Sequence, residues 1–491
     1  MTSHALELQK QERWRCDRFP RASQFFDGLL HSEFQPAAWQ GQFQAAAVRE
    51  LVRFVVSEVP YYRELFAELS LTVNDIKGPD DLPRLPVLSK SMVAAQGERL
   101  RPRRLPEGES EGGITASSGT TGQPVKIAHS ASSVKLYSLL WQRQARWFNL
   151  EPSAIMLDVR IGREVARSVG GAPNPDGTLV KRDRWRYLGP FFKTGPEFGF
   201  NISTPLDQQV AWLRQVQPEY ALTYPGTFEE WLLAGGGTPP VGSLQRLIAI
   251  GAQLTPSLRE RLETAYGIPI HQTYGLNEIG KVALRCEAGR YHIHTEGCLV
   301  EIVDSAGQPC APGETGRVVV TALRNAAMPL LRYDTGDLAE ATAGPCACGR
   351  TLPSFGELAG RFRRFAGLPG GTRERVNGLL AALGKLAADE VDFLRRYQIF
   401  QDRHNRFALR LQTAGPVPES FRHALRDAWQ EITGTRDNPL TLDVVAQIAA
   451  SPSGKQLDFV SEFYRDSYAN CRPDRDAATT ADDSSHEPVQ L

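Results

Sequence analysis

The sequence has no excess of charge of either sign, and this absence limits the partners that it can attract. Its 491 residues include 56 basic and 56 acidic side chains, which gives a formal net charge of +0 at pH 7. A protein without a net field has no long-range attraction for a polyanion. We therefore expect neither nucleic acid nor a membrane as a partner.

Long apolar runs are missing as well. No stretch reaches the ~18 consecutive apolar residues that suggest a membrane-spanning helix, and the first residues have no apolar segment of the kind found in secretion signals. We expect a cytoplasmic protein. The chain has 7 cysteines, too few for a disulfide framework at this length, so thiols or metal ligands are the better interpretation.

What is present is an ordinary globular composition, 41% hydrophobic and 23% charged, with a regular order of helix and strand patterns. The first hundred residues have helical apolar spacing, interrupted at Pro60. Further along, strands are predicted at 154–159, 220–223 and 247–250, and helices at 208–216, 228–233 and 255–266. This alternation is typical of an open α/β sheet whose ligands bind at the carboxyl ends of its strands.

Two other regions complete the organisation of the chain. Residues 181–187 mix basic and aromatic side chains within a Gly- and Pro-rich stretch and are predicted to form a solvated loop. The C-terminal part is predicted to contain paired strands at 397–400 and 407–411, a helix at 421–432 and a strand at 440–445. These elements indicate a small α/β lid.

A glycine- and hydroxyl-rich stretch at 114–126 is the strongest candidate for an anion-binding loop. Its donors are Ser117, Ser118, Gly119, Thr120, Thr121 and Gly122. Glycines allow close approach of the backbone, hydroxyls add donors, and Lys126 could supply a countercharge. A flexible turn between strands is the alternative. The stretch lacks the Gly-Lys-Ser/Thr ending of a P-loop.

A second group of residues has the composition of a metal site. Cys286 and His292 lie close together in sequence, and Cys346 and Cys348 lie about 60 residues later. Three thiolates and one imidazole suit tetrahedral Zn²⁺. Scattered thiols are the alternative, because Cys-x-Cys spacing is less diagnostic than Cys-x-x-Cys. His294 could replace His292 as a ligand, since both would lie on one face of a strand.

Five segments, taken in order, carry a family resemblance. They are 117–126, 251–253, 274–278, 331–337 and 451–455. Their order and spacing resemble the adenylate-forming superfamily of acyl-coenzyme A synthetases, and within it the branch of phenylacetate-coenzyme A ligase and its CapK-like relatives. The segments 59–63, 85–90 and 345–350 resemble that branch in particular. The resemblance extends over roughly residues 45–459.

The resemblance implies a fold and a division of the chain. It implies an α/β protein with a large N-terminal adenylation domain, 1–361, built of mixed sheets and flanking helices. A small, mobile α+β lid would follow at 362–470. The remaining residues, 471–491, have few large apolar side chains and are expected to form a disordered tail.

The resemblance also implies the site. The residues that it places around ATP are Ser117, Ser118, Gly119, Thr120, Thr121, Gly122, Lys126, Gly251, Ala252, Gln253, Gln272, Thr273, Tyr274, Gly275, Asn277, Asp337 and Arg361. Glu278 would hold Mg²⁺, which prefers oxygen ligands, and Asp337 would accept hydrogen bonds from the ribose. Lys455 would stabilise the charge that develops at the α-phosphate. Similar Cys and His residues hold structural zinc in some CapK-like relatives.

Two departures from the family pattern bear on the second half-reaction. Asn277 stands where relatives have Ser or Thr, and its amide can still donate to a phosphate. The hinge aspartate expected after Arg361 is missing, since residues 362–371 contain no acidic side chain. Coenzyme A is the acyl acceptor that the resemblance implies. Because the hinge aspartate is missing, an amine or a carrier-protein thiol is the alternative acceptor.

The sequence thus predicts ATP-dependent activation of a small carboxylic acid, an aryl or arylacetic acid by analogy, through an acyl-adenylate. A non-catalytic nucleotide- or acyl-binding module is the alternative from another class. Intact Glu278, Asp337 and Lys455 argue against it. The sequence does not determine the oligomeric state, and a homodimer is one of the alternatives.

Overall fold

A computed structural model describes residues 3–14, 19–116, 125–160, 178–361, 394–404, 406–413, 415–433, 440–446, 448 and 459–461. These residues fall into two units, one ending at Arg361 and one made of the residues from 394 onward. Each unit is described by itself.

The helices of the first unit are α1 (Ser3–Glu12), α2 (Pro20–Ser32), α3 (Ala37–Glu58), α4 (Pro60–Glu68), α5 (Lys90–Gln96), α6 (Ala131–Trp147), α7 (Leu206–Val216), α8 (Pro225–Ala234) and α9 (Pro256–Tyr266). Two 3₁₀ helices lie at Pro79–Arg84 and Gly97–Leu100. The predicted helical start of the chain is confirmed. Helix α3 ends at Glu58, and α4 begins at Pro60 after the single intervening residue Val59.

The strands of the first unit are β1 (Glu111–Ala116), β2 (Lys126–Ser130), β3 (Met156–Arg160), β4 (Val180–Arg182), β5 (Glu197–Asn201), β6 (Tyr220–Thr223), β7 (Arg246–Ala249), β8 (Ile270–Leu276), β9 (Gly280–Arg285), β10 (Tyr291–Ile293), β11 (Cys298–Val303), β12 (Thr315–Ala322), β13 (Tyr333–Glu340), β14 (Ser354–Phe355) and β15 (Leu358–Arg361). The antiparallel pair β1–β2 brackets the glycine-rich stretch, whose two ends are therefore strand.

A nine-stranded sheet, in the order β14-β10-β9-β8-β7-β6-β3-β5-β4, organises the unit. Its centre, from β5 through β3, β6 and β7 to β8, is parallel. Alternate side chains of a strand point to opposite faces: Ile248 packs with Trp141 of α6, whereas Leu247 packs with Trp231 of α8. Helices cover both faces, which confirms the predicted α/β class.

The predicted strands and helices of this sheet are found within three residues of their expected ends. Strand β6 has the predicted bounds, and α9 begins after Thr255, whose hydroxyl accepts a hydrogen bond from the Leu258 amide.

The loop predicted at 181–187 is only partly correct. Its first two residues belong to β4, which pairs with β5 at the sheet edge. Trp185 is buried, and its indole Nε1 donates to the Ala154 carbonyl at 2.9 Å. The local Gly and Pro content suggested exposure, but the large aromatic surface of Trp185 is removed from water by tertiary packing.

A second sheet has four antiparallel strands in the order β11-β12-β13-β15. The Leu88 segment pairs with the start of β13: its amide donates to the Arg332 carbonyl, and its carbonyl accepts from the Asp334 amide. Arg332 itself is buried and forms an ion pair with Glu301 at 3.0 Å. Two of the segments that suggested the family therefore meet in space.

A buried ionic network joins the N-terminal helices to α6. Glu33, which follows α2, is fully buried and pairs with Arg143 at 2.9 Å and with Arg146. Arg146 also pairs with Glu7 of α1 at 2.5 Å, and Arg143 pairs with Glu296 at 2.7 Å. Burial by itself raises the pKa of Glu33, but Arg146 and Arg143 outweigh it, so the pKa lies below its usual value.

The second unit contains strands β16 (Leu394–Gln401), β17 (Phe407–Thr413), β18 (Leu440–Val444) and β19 (Phe459–Ser461) and helix α10 (Glu419–Thr433). β16 and β17 pair, as predicted, and the pairing is antiparallel. β18 and β19 add in parallel on either side. Phe421 and Trp429 of α10 pack on the sheet with Phe407.

No helix in the described part of the chain has both the length and the apolar character that crossing a membrane requires.

Candidate active site

The turn after β7 lies at the carboxyl edge of the parallel strands, where ligands of open α/β sheets bind. Gly251 has a φ of 67°, and a Cβ at this position would lie 2.7 Å from Cε1 of Tyr224. Only glycine combines this backbone conformation with this close approach. The turn holds Ala252 and Gln253 beside β15, since Gln253 Nε2 donates to the Leu358 carbonyl at 3.0 Å.

Tyr274, on the neighbouring strand β8, joins two of the motif segments. Its hydroxyl donates to Asp337 Oδ2 at 2.8 Å, and both side chains are buried. The amide of Asp337 in turn donates to Thr335 Oγ1 at 3.1 Å. The carboxylate predicted to bind ribose is thus held in place by the tyrosine of the Tyr-Gly segment.

Glu278 lies just beyond β8 and is also held by a tyrosine. The hydroxyl of Tyr333 donates to Glu278 Oε1 at 3.3 Å. The carbonyl of Asn277 accepts a hydrogen bond from Thr115 Oγ1 at 3.0 Å. The strand that leads into the glycine-rich stretch therefore contacts the predicted Mg²⁺ segment directly.

The sequence analysis missed His129 and Tyr333 at this site. His129 Nε2 lies 2.7 Å from Thr115 Oγ1, and burial lowers its pKa against the opposing effects of Asn277 and Glu278. Tyr333 belongs to the 331–337 segment, so the motif contained the signal. Nothing in the sequence distinguished His129 from a core histidine.

Other predicted residues have described backbone positions but different surroundings. Gln272 is turned toward Arg259, which donates to its Oε1 at 2.9 Å. Gly275 packs on the backbone of Gly280, since a Cβ would lie 2.9 Å from that carbonyl. Lys126 is exposed at the start of β2, and Thr273 is half-buried on β8. The backbone of Arg361 pairs with that of Asp337.

Several predicted residues lie outside the described part of the chain. They are Ser117, Ser118, Gly119, Thr120, Thr121, Gly122 and Lys455, together with the hinge segment 362–371. Their assignments remain predictions.

The four predicted metal ligands come together in one buried cluster. Their donor atoms all lie within 4.8 Å of one another. Cys286 follows β9, His292 lies on β10, and Cys346 and Cys348 lie between β13 and β14. The two pairs are more than 50 residues apart in sequence and meet because β9 and β10 form a hairpin beside that loop.

The distances within the cluster fit a tetrahedral ion. Cys286 Sγ lies 3.7 Å from Cys346 Sγ, and Cys348 Sγ lies 3.3 Å from His292 Nε2. Two thiolates bound to one zinc at about 2.3 Å would lie about 3.8 Å apart, and a thiolate and an imidazole about 3.5 Å apart. The contact with Cys286 lowers the pKa of the Cys348 thiol, and His292 lowers it further.

The imidazole is oriented as in known zinc sites. His292 Nδ1 donates to the Leu352 carbonyl at 2.9 Å, which leaves Nε2 to face the thiols. The alternative ligand was His294. Its Nδ1 instead accepts a hydrogen bond from Arg143 at 3.0 Å. The cluster of donor atoms contains His292 and not His294.

Comparison with known proteins identifies similar enzymes. A family model described as "AMP-binding enzyme" matches residues 193–326. The phenylacetate-coenzyme A ligase of Thermus thermophilus is 29% identical over 333 residues, covering 65% of this chain and 69% of that protein. The ligase of the same name from Pseudomonas putida is 25% identical over 349 residues, covering 65% and 70%. These matches confirm the predicted resemblance to the adenylate-forming superfamily and, within it, to the phenylacetate-coenzyme A ligase branch.

Two solved structures have a similar fold. 2-Hydroxyisobutyryl-CoA ligase in the postadenylation state, in complex with 2-HIB-AMP, gives a TM-score of 0.64 at 17% identity, covering 89% of this chain and 93% of that chain. Its open conformation, in complex with 2-HIB-AMP and CoA, gives 0.58 at 18% identity, covering 87% and 93%. The expected fold class is confirmed.

Proposed function

We propose that this adenylate-forming enzyme activates a carboxylic acid, preferably an aryl or arylacetic acid, with MgATP and transfers the acyl group to coenzyme A. The carboxylate oxygen attacks the α-phosphorus, the bond to pyrophosphate breaks, and an acyl-adenylate forms. The coenzyme A thiol, after loss of its proton, then attacks the acyl carbon, and AMP leaves. The phenylacetate-coenzyme A ligases named above support this assignment.

One observation carries the proposal. Tyr274 and Asp337, from two motif segments about sixty residues apart, form a 2.8 Å hydrogen bond, and Glu278 lies four residues beyond Tyr274 and is held by Tyr333. Both carboxylates are thus fixed near the carboxyl edge of the sheet. A surface loop with unrelated residues would not need its acidic side chains to be buried and oriented in this way.

The site residues have complementary roles in the first half-reaction. Asp337 accepts hydrogen bonds from the ribose hydroxyls. Glu278 provides a carboxylate for Mg²⁺, which neutralises phosphate charge when bound. Lys455 stabilises the charge that develops on the α-phosphate as pyrophosphate leaves. Gly251 allows the backbone to approach the adenine closely.

Coenzyme A is the proposed acyl acceptor, and two other acceptors are alternatives to it. Residues 362–371 lack the acidic hinge residue, and an amine or a carrier-protein thiol would use the same adenylate. Pyrophosphate release from MgATP, measured across aryl, arylacetic and aliphatic acids, distinguishes these acceptors when each acid is tested alone, with coenzyme A and with simple amines. Acid-dependent release that coenzyme A accelerates supports the proposal. If an amine accelerates release and coenzyme A does not, an amine is the acceptor.

Asp337→Ala is expected to raise the KM for ATP by about tenfold or more, because a charge-assisted hydrogen bond contributes about 1.5–3 kcal/mol. Tyr274→Phe should raise the KM less, because the carboxylate remains but loses the hydroxyl that orients it. Steady-state kinetics with varied ATP measures both. An unchanged KM in a folded Asp337→Ala protein would remove Asp337 from the nucleotide site.

The Cys286, His292, Cys346 and Cys348 cluster is a structural zinc site in this proposal. Four protein ligands leave no open coordination position, so the ion fixes loops and does no chemistry. Arg350, two residues beyond Cys348, pairs with Glu7 at 2.9 Å, which connects this loop to α1. Zinc therefore stabilises the region where α1 meets the edge of the large sheet.

Elemental analysis of the purified protein is expected to find about one zinc per chain. Cys346→Ser should lose most of this zinc, whereas Cys310→Ser, which changes a cysteine outside the cluster, should keep it. Two results would show that the four residues hold no ion. One is wild-type protein that contains no metal when purified without a chelator. The other is an equal zinc content in the two variants.

A further inference from the structure

A group of aromatic side chains lies next to the Glu278 segment. The rings of Trp141 on α6 and Tyr187 are stacked, with centroids 4.7 Å apart, and Tyr137 meets Tyr187 edge-on at 5.4 Å. A Cβ on Gly280 would lie 3.5 Å from Cδ2 of Tyr137. The aromatic group therefore begins two residues from the carboxylate that the proposed function assigns to Mg²⁺.

The amine of Lys281 lies within this group. Its Nζ is 4.0 Å from the centroid of the Trp141 ring and 5.5 Å from that of Tyr137, and the residue is only 8% exposed. Gln144 Oε1 accepts a hydrogen bond from it. Burial and the nearby Arg160 guanidinium lower the pKa of Lys281 well below its usual value.

The charges around Lys281 leave it without an anionic partner among the described residues, which record no ion pair for it. Asp158, on the adjacent edge of the sheet, is already paired with Arg160 at 2.6 Å. A buried amine without a countercharge is unfavourable. Such a group has a reason to be present when a ligand supplies a further hydrogen-bond partner in place of a countercharge.

Two more buried donors in the same place have no acceptor among the described residues. They are the indole Nε1 of Trp141 and the amide Nε2 of Gln144. Buried donors in folded proteins are normally paired, and an unpaired one calls for an explanation. Trp141 and Gln144 both contact Lys281, so the three donors are close neighbours.

The contacts with α6 give the distance from Glu278 to the donors. With a rise of 1.5 Å per residue, Tyr137 and Gln144 are separated by about 10 Å along the helix. Gly280, two residues from Glu278, approaches Tyr137, and Lys281 contacts Gln144. An acid with its carboxylate near Glu278 would need one aromatic ring with a substituent to reach the donors.

We propose that the aromatic group binds the ring of the acid substrate, and that Lys281, Trp141 and Gln144 select acids whose ring carries a hydroxyl remote from the carboxylate. The inference rests on the proposed function and specifies its substrate class. A phenolic oxygen accepts from the indole and amide N–H groups. It also pairs with the amine in either state, accepting from the ammonium or donating to the neutral amine.

The test compares two acids of equal size, 4-hydroxyphenylacetate and 4-methylphenylacetate, by acid-dependent pyrophosphate release. The wild-type kcat/KM is expected to favour the hydroxyl acid by about tenfold or more, because a site built to hydrogen-bond a hydroxyl rejects the analogue that lacks it. Lys281→Met should bring this ratio to about one. Lys135→Met, an exposed lysine on the same helix, should keep the wild-type ratio.

Equal kcat/KM values for the two acids in the wild type, or an unchanged ratio in Lys281→Met, would overturn the inference while leaving the proposed function intact. Trp141→Phe keeps the ring and removes the N–H, and it decides the case if Lys281→Met does not fold: a reduced ratio supports the inference and an unchanged ratio overturns it. Absence of release with any acid would overturn the proposed function and the inference together.

Discussion

Replacing Lys455 with alanine is expected to reduce the rate of adenylate formation by about 10²–10³-fold, because the side chain is assigned to the charge that develops at the α-phosphate. Loss of one preorganised donor to a developing negative charge typically costs that much in kcat. The measurement is acid-dependent pyrophosphate release under saturating ATP and acid. The unfolding temperature of the variant is measured alongside, to show that the variant is folded.

Lys135→Ala, at an exposed position of α6, is the matched control and should retain the wild-type rate. A second control supplies the acyl-adenylate ready-made and measures transfer to the acceptor. Because Lys455 acts on the phosphate in the first step, this transfer should be reduced far less than adenylation. A Lys455→Ala enzyme that forms adenylate at the wild-type rate would contradict the role assigned to Lys455 at the α-phosphate.

Replacing Glu33 with glutamine is expected to lower the free energy of unfolding by about 3–5 kcal/mol, the usual effect of breaking a buried ion pair. Glu33 is fully buried between Arg143 and Arg146. Its removal would leave both guanidinium groups buried with less countercharge. Urea unfolding of the wild type and the variant at neutral pH measures the difference.

The pH dependence of this difference is a further check. Because the pKa of Glu33 in the folded state is lowered from 4.5, its contribution is fully present above the unfolded pKa and is lost as the pH falls through the folded pKa. The gap between wild type and Glu33→Gln should therefore narrow below about pH 4. Glu64→Gln, at an exposed ion pair with Arg99, should cost less than about 1 kcal/mol. A similarly small cost for Glu33→Gln would contradict the assigned network.

Much of the fold could be predicted because local signals and tertiary structure agree. The start of α9 could be predicted from Thr255 and Pro256, and the limits of β6 could be predicted from a short apolar run. The metal ligands could be predicted as residues, although their meeting depends on the pairing of β9 with β10. Sequence spacing alone could not choose between His292 and His294, because the choice depends on which ring Arg143 contacts.

The substrate region could not be predicted in the same way. Lys281 follows the Tyr-Gly segment in sequence, but its burial between Trp141 and Gln144 depends on how α6 crosses β9. Trp185 was wrongly placed in a solvated loop for a similar reason, since its burial depends on contacts with distant residues. Local composition reports on exposure only where tertiary contacts do not override it.

The measurement that tests the central claim most directly is exchange of labelled pyrophosphate into ATP in the absence of any acceptor. Exchange requires only reversible adenylation, so it does not depend on the identity of the acceptor or on the hinge segment. We expect Mg²⁺-dependent exchange that requires an aromatic acid and is abolished in Lys455→Ala. A folded protein that binds ATP but shows no acid-dependent exchange across a broad panel of carboxylic acids would contradict the assignment as an adenylate-forming acid ligase.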